Sequence, residues 1–206
     1  MERHKNLLAQ DEHRAASARP RERADAARNR ARILAAAEDL FAERDPREIT
    51  MEDVARAAGV GRGTLYRRYP DIASIAVALL DEHERALQEK LLRGDPPLGP
   101  GADPGDRLAA FYEAMIGLLD RHVRLSLGAE TGRSRFSTGA YGFWRAHVRM
   151  LLLQASVKSP DVLVDILLAP LAPEVFRHQR DDLGLSPGQI ADALTSIARA
   201  VVARSD

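Results

Sequence analysis

At 206 residues the chain is long enough for two small cores. It has no cysteine, and no apolar run approaching the roughly 18 residues of a membrane span, so disulfides, thiolate chemistry and cysteine metal sites are excluded. Thirty basic residues balance thirty acidic ones, and a net charge of zero argues against an indiscriminate polyanion binder. Alanine, leucine and arginine dominate while strand signals are sparse, which predicts an all-α protein. A charged N-terminus without an apolar signal core predicts a cytoplasmic one with no membrane partner.

The charge is unevenly placed. Residues 14–32 carry seven arginines against Glu22 and Asp25, and residues 54–70 add four arginines with no acid. Residues 1–24 have no sustained apolar face and Pro20 interrupts them, so they are expected to form a basic arm, solvated by its own charge or ordered on DNA. A helix is predicted from about Ala24 to Glu43, with Ile33, Leu34, Ala37, Leu40 and Phe41 recurring at three and four as a core stripe. Asp45-Pro46 should break it.

The stretch ITMEDVARAAGVGRGTLYRRYP, residues 49–70, is the most informative. Thr50 with Asp53 three residues later is a capping-box start for a helix to about Ala58, whose apolar stripe is Val54, Ala55 and Ala58. Gly59 should stop it in the left-handed conformation. A second short helix is predicted from about Arg62 until Pro70 ends it, with Leu65 inward and Arg62, Thr64, Tyr66, Arg67 and Arg68 as outward donors. Two short helices about a glycine turn make a helix-turn-helix. An acid-free helix rich in arginine suits a DNA major groove, and Thr50 opens a helix whose backbone amides can meet a phosphate.

Asp71 should cap a long helix carrying Ile72, Ile75, Ala76, Leu79, Leu80, Leu87 and Leu91 inward to a stop at Gly94. Reaching from the first domain into the second, it is the expected mechanical link between them. Residues 94–105, with four prolines and four glycines, read as a loop. Asp106 is expected to cap a helix with Leu108, Phe111, Met115, Leu118 and Leu119 inward, followed by a short helix near His122 to Ala129 and a glycine-rich loop. A helix from about Ala140 to Val157 follows, with Phe143, Trp144, His147, Leu151 and Leu152 on its apolar face. Ser159-Pro160 opens another, with Val162, Leu163, Ile166, Leu167 and Leu171, which Pro170 and Pro173 should kink or split. Leu185-Ser186-Pro187 starts the last, with Ile190, Leu194, Ile197 and Val201 at heptad-like spacing.

No two of the six histidines stand at i, i+4, and no metal site or cofactor is expected. Glycines 59, 61 and 63 spell G-x-G-x-G after a helix rather than a strand, so the dinucleotide reading fails on context. No nucleophile–base pair or phosphate loop with a lysine is present, and no catalytic residue is expected. Phe111, Met115, Phe143, Trp144 and His147 gather aromatic and soft side chains on two helices. They read either as core packing or as the lining of an apolar ligand pocket.

AARNRARILAAAEDLF, then the 49–70 stretch, then the apolar helix from Asp71, resemble the DNA-binding end of the tetracycline-repressor (TetR) family. The A-G-V-x-x-G-T-L-Y block at 58–66 is the specific part. The resemblance covers roughly residues 28–80. It returns more weakly at 161–203, where VLVDILLAPL and the final amphipathic helix look like that family's dimerisation helices. Residues 81–160 match only in being helical.

The resemblance implies a basic arm (1–24), a three-helix, homeodomain-like DNA-binding head (25–70) and a ligand-binding and dimerisation bundle (71–206). It implies a homodimer through helices near 161–181 and 187–203, an inverted-repeat operator in double-stranded DNA, and an unidentified small-molecule effector. Such a protein is a transcriptional regulator, most often a repressor, and not an enzyme. Arg62, Gly63, Thr64 and Tyr66 match the family's base- and phosphate-contacting positions, with Arg67 and Arg68 following on the groove side. Two positions depart from it: Gly61 stands where a serine-type N-cap is usual, and Ile72 where a phosphate-anchoring lysine is usual. Those departures sustain an alternative, a helical small-molecule-binding or scaffold protein that kept the fold without operator binding.

Overall fold

The computed structural model describes residues 24–44, 48–126 and 139–203, and every regular element among them is helical. The expected arm lies outside the described residues, as do Asp45-Pro46 and the loop after residue 126. The helices are α1 (residues 24–43), α2 (Met51–Ala58), α3 (Arg62–Tyr66), α4 (Ile72–Arg93), α5 (Pro104–Ser126), α6 (Gly139–Gln154), α7 (Pro160–Leu168), α8 (Pro173–Arg177) and α9 (Pro187–Ala203). The chain divides into two compact units, the first ending at Ile75 and the second starting at Ala76.

In the first unit α1 buries Ile33, Leu34 and Ala37, while Leu40 and Phe41 are only half-buried, against the expectation of a core Phe41. Thr50 caps α2 through a reciprocal box: its hydroxyl accepts from the Asp53 amide at 3.2 Å, and the Asp53 carboxylate accepts from the Thr50 amide at 3.1 Å. Val54, Ala55 and Ala58 are buried, and Gly59 ends the helix in the left-handed region at φ 60°. Helix α3 is shorter than expected and stops at Tyr66. Backbone bonds from Arg68 and Tyr69 to the Leu65 carbonyl wind one further turn. A residue before proline is pushed out of the α region, so the helix is lost before Pro70 is reached.

Asp71 caps α4 as expected, its carboxylate accepting from the Ser74 amide at 2.7 Å. In the second unit the cap of α5 is Asp103 rather than Asp106. The Asp103 carboxylate accepts from the Gly105 amide at 2.8 Å and leaves Pro104 at the first helical position, where a missing N–H costs nothing. The separate helix expected near His122 is absent among the described residues, because α5 runs unbroken from Pro104 through Ser126. Helix α6 ends three residues early, at Gln154. Ser156 adopts φ 54°, and the Val157 amide closes on the Leu152 carbonyl at 3.0 Å. Pro170 and Pro173 split the next segment into α7, a 3-10 turn at Ala169–Leu171, α8, and a π-turn at His178–Asp182. Ser186 and Gln189 form a reciprocal cap on α9.

Helices α5 and α9 pack most closely in this unit. Its core joins Leu87 and Leu91 of α4, Leu108, Phe111, Tyr112 and Met115 of α5, and Trp144, Val148, Leu151 and Leu152 of α6. Val164, Leu167, Phe176, Ile190 and Leu194 are also part of it. Tyr112 donates to the Leu167 carbonyl at 2.9 Å, fixing α5 against α7, and burial pushes its phenol pKa well up. On the outer side Arg145 and Tyr141 meet Asp165, and Arg149 meets Asp161 at 2.6 Å, a short ladder from α6 to α7. That pairing raises the Arg149 pKa and lowers that of Asp161.

Candidate nucleic-acid interface and ligand-binding core

One face of α3 and its following turn is open. Leu65 is fully buried, and around it Arg62, Gly63, Tyr66, Arg67 and Arg68 are exposed and Thr64 half-exposed. Burying a single leucine orients a five-residue helix, because every other side chain must then project outward. Tyr66 exposes 47 % of its surface, so it is not a core position. Thr50, the N-cap of α2, and Arg56, on that helix, are also exposed.

These donors are held by weak, exchangeable ties. Arg62 lies 3.3 Å from the Glu52 carboxylate and Arg56 3.5 Å from that of Asp53, pairs whose arginines are exposed and whose net strength is small. Arg67 donates to the Thr64 hydroxyl at 3.4 Å. Arg68 reaches back to the Ala26 carbonyl at 3.3 Å, so it also fastens the start of α1. The Asp53 carboxyl sits below the usual carboxylate range, first through its hydrogen bonds with Thr50 and then through Arg44 and Arg56. Ile72 is half-buried and offers no donor. Gly61 begins α3 with no side-chain cap, its extended backbone accepting from Thr64 and Leu65 instead.

In the second unit the five residues singled out on α5 and α6 come together. Phe111 lies 6.0 Å from Trp144 and 5.5 Å from His147 between ring centroids, and Phe143 meets Trp144 edge-on at 5.4 Å. Phe111, Met115, Trp144 and His147 are buried and Phe143 half-buried. A cavity of about 520 Å³ lies elsewhere, at Asp103–Asp106, Gln154–Ser156, Arg199, Val202 and Ala203, and none of the five lines it. The five residues pack on one another between α5 and α6 and belong to or border the core of the second unit.

Arg107 was not legible as a site residue, although its signal was there. It stands one turn before Phe111 and two before Met115, a cation on an apolar stripe, and it is 6 % exposed. Nε of Arg107 and Nε2 of His147 are buried with no hydrogen-bond partner. Burial, aided by the Arg107 charge, lowers the His147 pKa to about 4. A second buried histidine, His122, contacts His83 of α4 and is also lowered to about 4, by burial first and then by His83 and Arg121. Among the described residues no cluster of three metal-binding side chains occurs, and no helix is long and apolar enough to cross a membrane.

Residues 33–79 match the family model of bacterial regulatory proteins of the tetR family. An HTH-type transcriptional regulator of Mycobacterium tuberculosis, itself described as uncharacterized, is 36 % identical over 102 residues, half of this chain and 49 % of the relative. The chain thus spans about half the length of the first curated relatives it matches. A tetR-family regulator structure from Rhodococcus superposes with TM-score 0.60 at 19 % identity, over 85 % of this chain and 99 % of that one. A SmeT–triclosan complex superposes with TM-score 0.58 at 15 % identity, over 84 % and 90 %. At such identities these structures establish the fold alone.

Proposed function

We propose that the chain, whose residues 33–79 match the tetR family of bacterial regulatory proteins, is a sequence-specific DNA-binding transcriptional regulator, a repressor released from its operator by a small molecule. The observation that carries this reading is the α3 face. A buried Leu65 turns Arg62, Gly63, Thr64, Tyr66, Arg67 and Arg68 outward, without an acid among them. Thr50, at the start of α2, supplies a helix N-terminus to a phosphate. The domain division proposed is an arm over 1–24, a head over 25–70 and an effector and dimerisation part over 71–206.

A homodimer fits the second unit. Val162 and Ile166 of α7 are 65 % and 60 % exposed, and Ile197 of α9 is 47 % exposed, apolar surface that a twofold pairing covers. Such a dimer reads two inverted half-sites, one α3 in each major groove. Effector binding is supported by the aromatic core of α5 and α6, and the neighbour solved with triclosan has the same fold. An effector that prefers the DNA-incompetent form by about 1–3 kcal/mol lowers operator affinity roughly 5–150-fold, and linkage makes operator weaken effector binding equally.

Selection of bound duplexes from a random pool tests the reading. Recovery of an inverted repeat supports it, and enrichment of nothing above the starting pool overturns it.

A further inference from the structure

Arg107 is placed where a cation has nothing to gain. It is buried, and no acidic side chain among the described residues pairs with it. It also lies in the first turns of α5, where the helix dipole favours negative charge. Buried charges in folded proteins are paired or they bind something, since an unpaired one keeps its full desolvation cost. A guanidinium does not escape by losing its proton. Beside it stands His147, whose buried Nε2 also has no partner and whose ring lies 5.5 Å from that of Phe111.

We propose that Arg107 and His147 form an anion-binding pair inside the second unit, taking the carboxylate of an amphipathic small molecule whose apolar tail lies against Phe111, Met115 and Trp144. The inference rests on the reading of this unit as an effector-binding one and names the chemical class of the effector. The carboxylate accepts from the fork of Arg107 and from His147 in its Nε2–H tautomer, giving both unpartnered nitrogens a hydrogen bond at once. An anion at that point also has the favourable sign for the α5 dipole. The tail enters by parting α6 from α5. The first turns of α6 allow this: Tyr141 and Phe143 are half-buried there, and Gly139 and Gly142 have open space beside them.

The test uses the full chain and three probes of one tail length: octanoate, 1-octanol and octylammonium. Binding is followed by calorimetry and by the fluorescence of Trp144, the single tryptophan. Octanoate is expected to bind at least tenfold more tightly than octanol, with octylammonium weakest. Arg107→Met should abolish that order while retaining octanol binding, and should melt no lower than the wild type without ligand, because it removes an uncompensated charge. Equal affinity for octanoate and octanol in the wild type overturns the anion pair and leaves an apolar effector site standing. No response to any of the three probes overturns both. A marked fall in the melting temperature of Arg107→Met also counts against the pair, since it assigns Arg107 a structural partner. The wild-type comparison decides the matter even where the variant fails to fold.

Discussion

Arg32 of α1 donates from Nη2 to the Gly59 carbonyl at 2.9 Å, tying the first helix to the turn between α2 and α3. The same guanidinium nitrogen stands 2.6 Å from where a Cβ on Gly59 would sit. Two costs therefore meet at Gly59, a left-handed backbone and a crowded neighbour, and they separate by mutation. Gly59→Ala is expected to lose about 1–2 kcal/mol, the strain of an L-residue at φ 60°. Arg32 is the mobile end of a long side chain, so Arg32→Ala should not rescue Gly59→Ala. Urea denaturation of the two singles and the double measures this, and full rescue would place the cost in the contact instead.

Arg62 and Arg68 look alike in sequence and differ in place. Arg62 pairs with half-buried Glu52, whereas Arg68 fastens the Ala26 carbonyl. Arg62→Ala should cost about 1–3 kcal/mol in operator affinity, relax sequence preference and leave the melting temperature unchanged. Arg68→Ala should weaken binding and also lower the melting temperature slightly. Anisotropy with operator and with random duplex checks both, and an equal loss on the two duplexes in Arg62→Ala would refute base reading.

Leu167 and Leu194 stand on the apolar stripes of the two helices that the resemblance assigns to dimerisation, yet both are buried within the protomer, at 4 % and 5 % exposure. A charge at either unfolds the bundle and says nothing of association. The informative positions are Ile166 and Ile197. Ile166→Glu is expected to shift sedimentation from dimer to monomer at micromolar concentration while the far-ultraviolet helical signal persists. A wild type that already sediments as a monomer sinks the twofold pairing.

Helix existence was legible wherever a cap or an N1 proline coincided with an apolar period: Thr50 with Asp53, Asp71, Pro160 and Ser186-Pro187 all open helices where expected. Boundaries were missed where a second device competed with the one read. Asp103 took the α5 cap because Pro104 preferred the first helical position, and Ser156 ended α6 in a left-handed turn that no glycine announced. The face of α3 was legible because five residues with one leucine leave few alternatives. Arg107 was not, since a polar residue on an apolar stripe is ordinarily solvated at its tip, and only burial distinguishes it.

Two buried histidines make stability depend on pH with a definite sign. His147, beside Arg107, and His122, beside His83 and Arg121, have their pKa lowered from 6.5 to about 4 in the folded chain. The folded state therefore holds both imidazoles neutral, while the unfolded chain takes up protons below about pH 6.5. Stability from this source is fully present above pH 6.5. It falls as pH drops from 6.5 toward 4, by up to about 1.4 kcal/mol per pH unit for each histidine, and levels below that window. Exposed ion pairs such as Arg145–Asp165 contribute little across the same range. His147→Phe keeps the aromatic packing against Phe111 and removes one of the two titrations, so its slope between pH 6.5 and 4.5 should be about half that of the wild type. Urea midpoints at four pH values through the window measure both slopes. An unchanged slope in His147→Phe shows that His147 titrates alike in the folded and unfolded chain, and with that the buried, neutral imidazole beside Arg107 is lost as a premise.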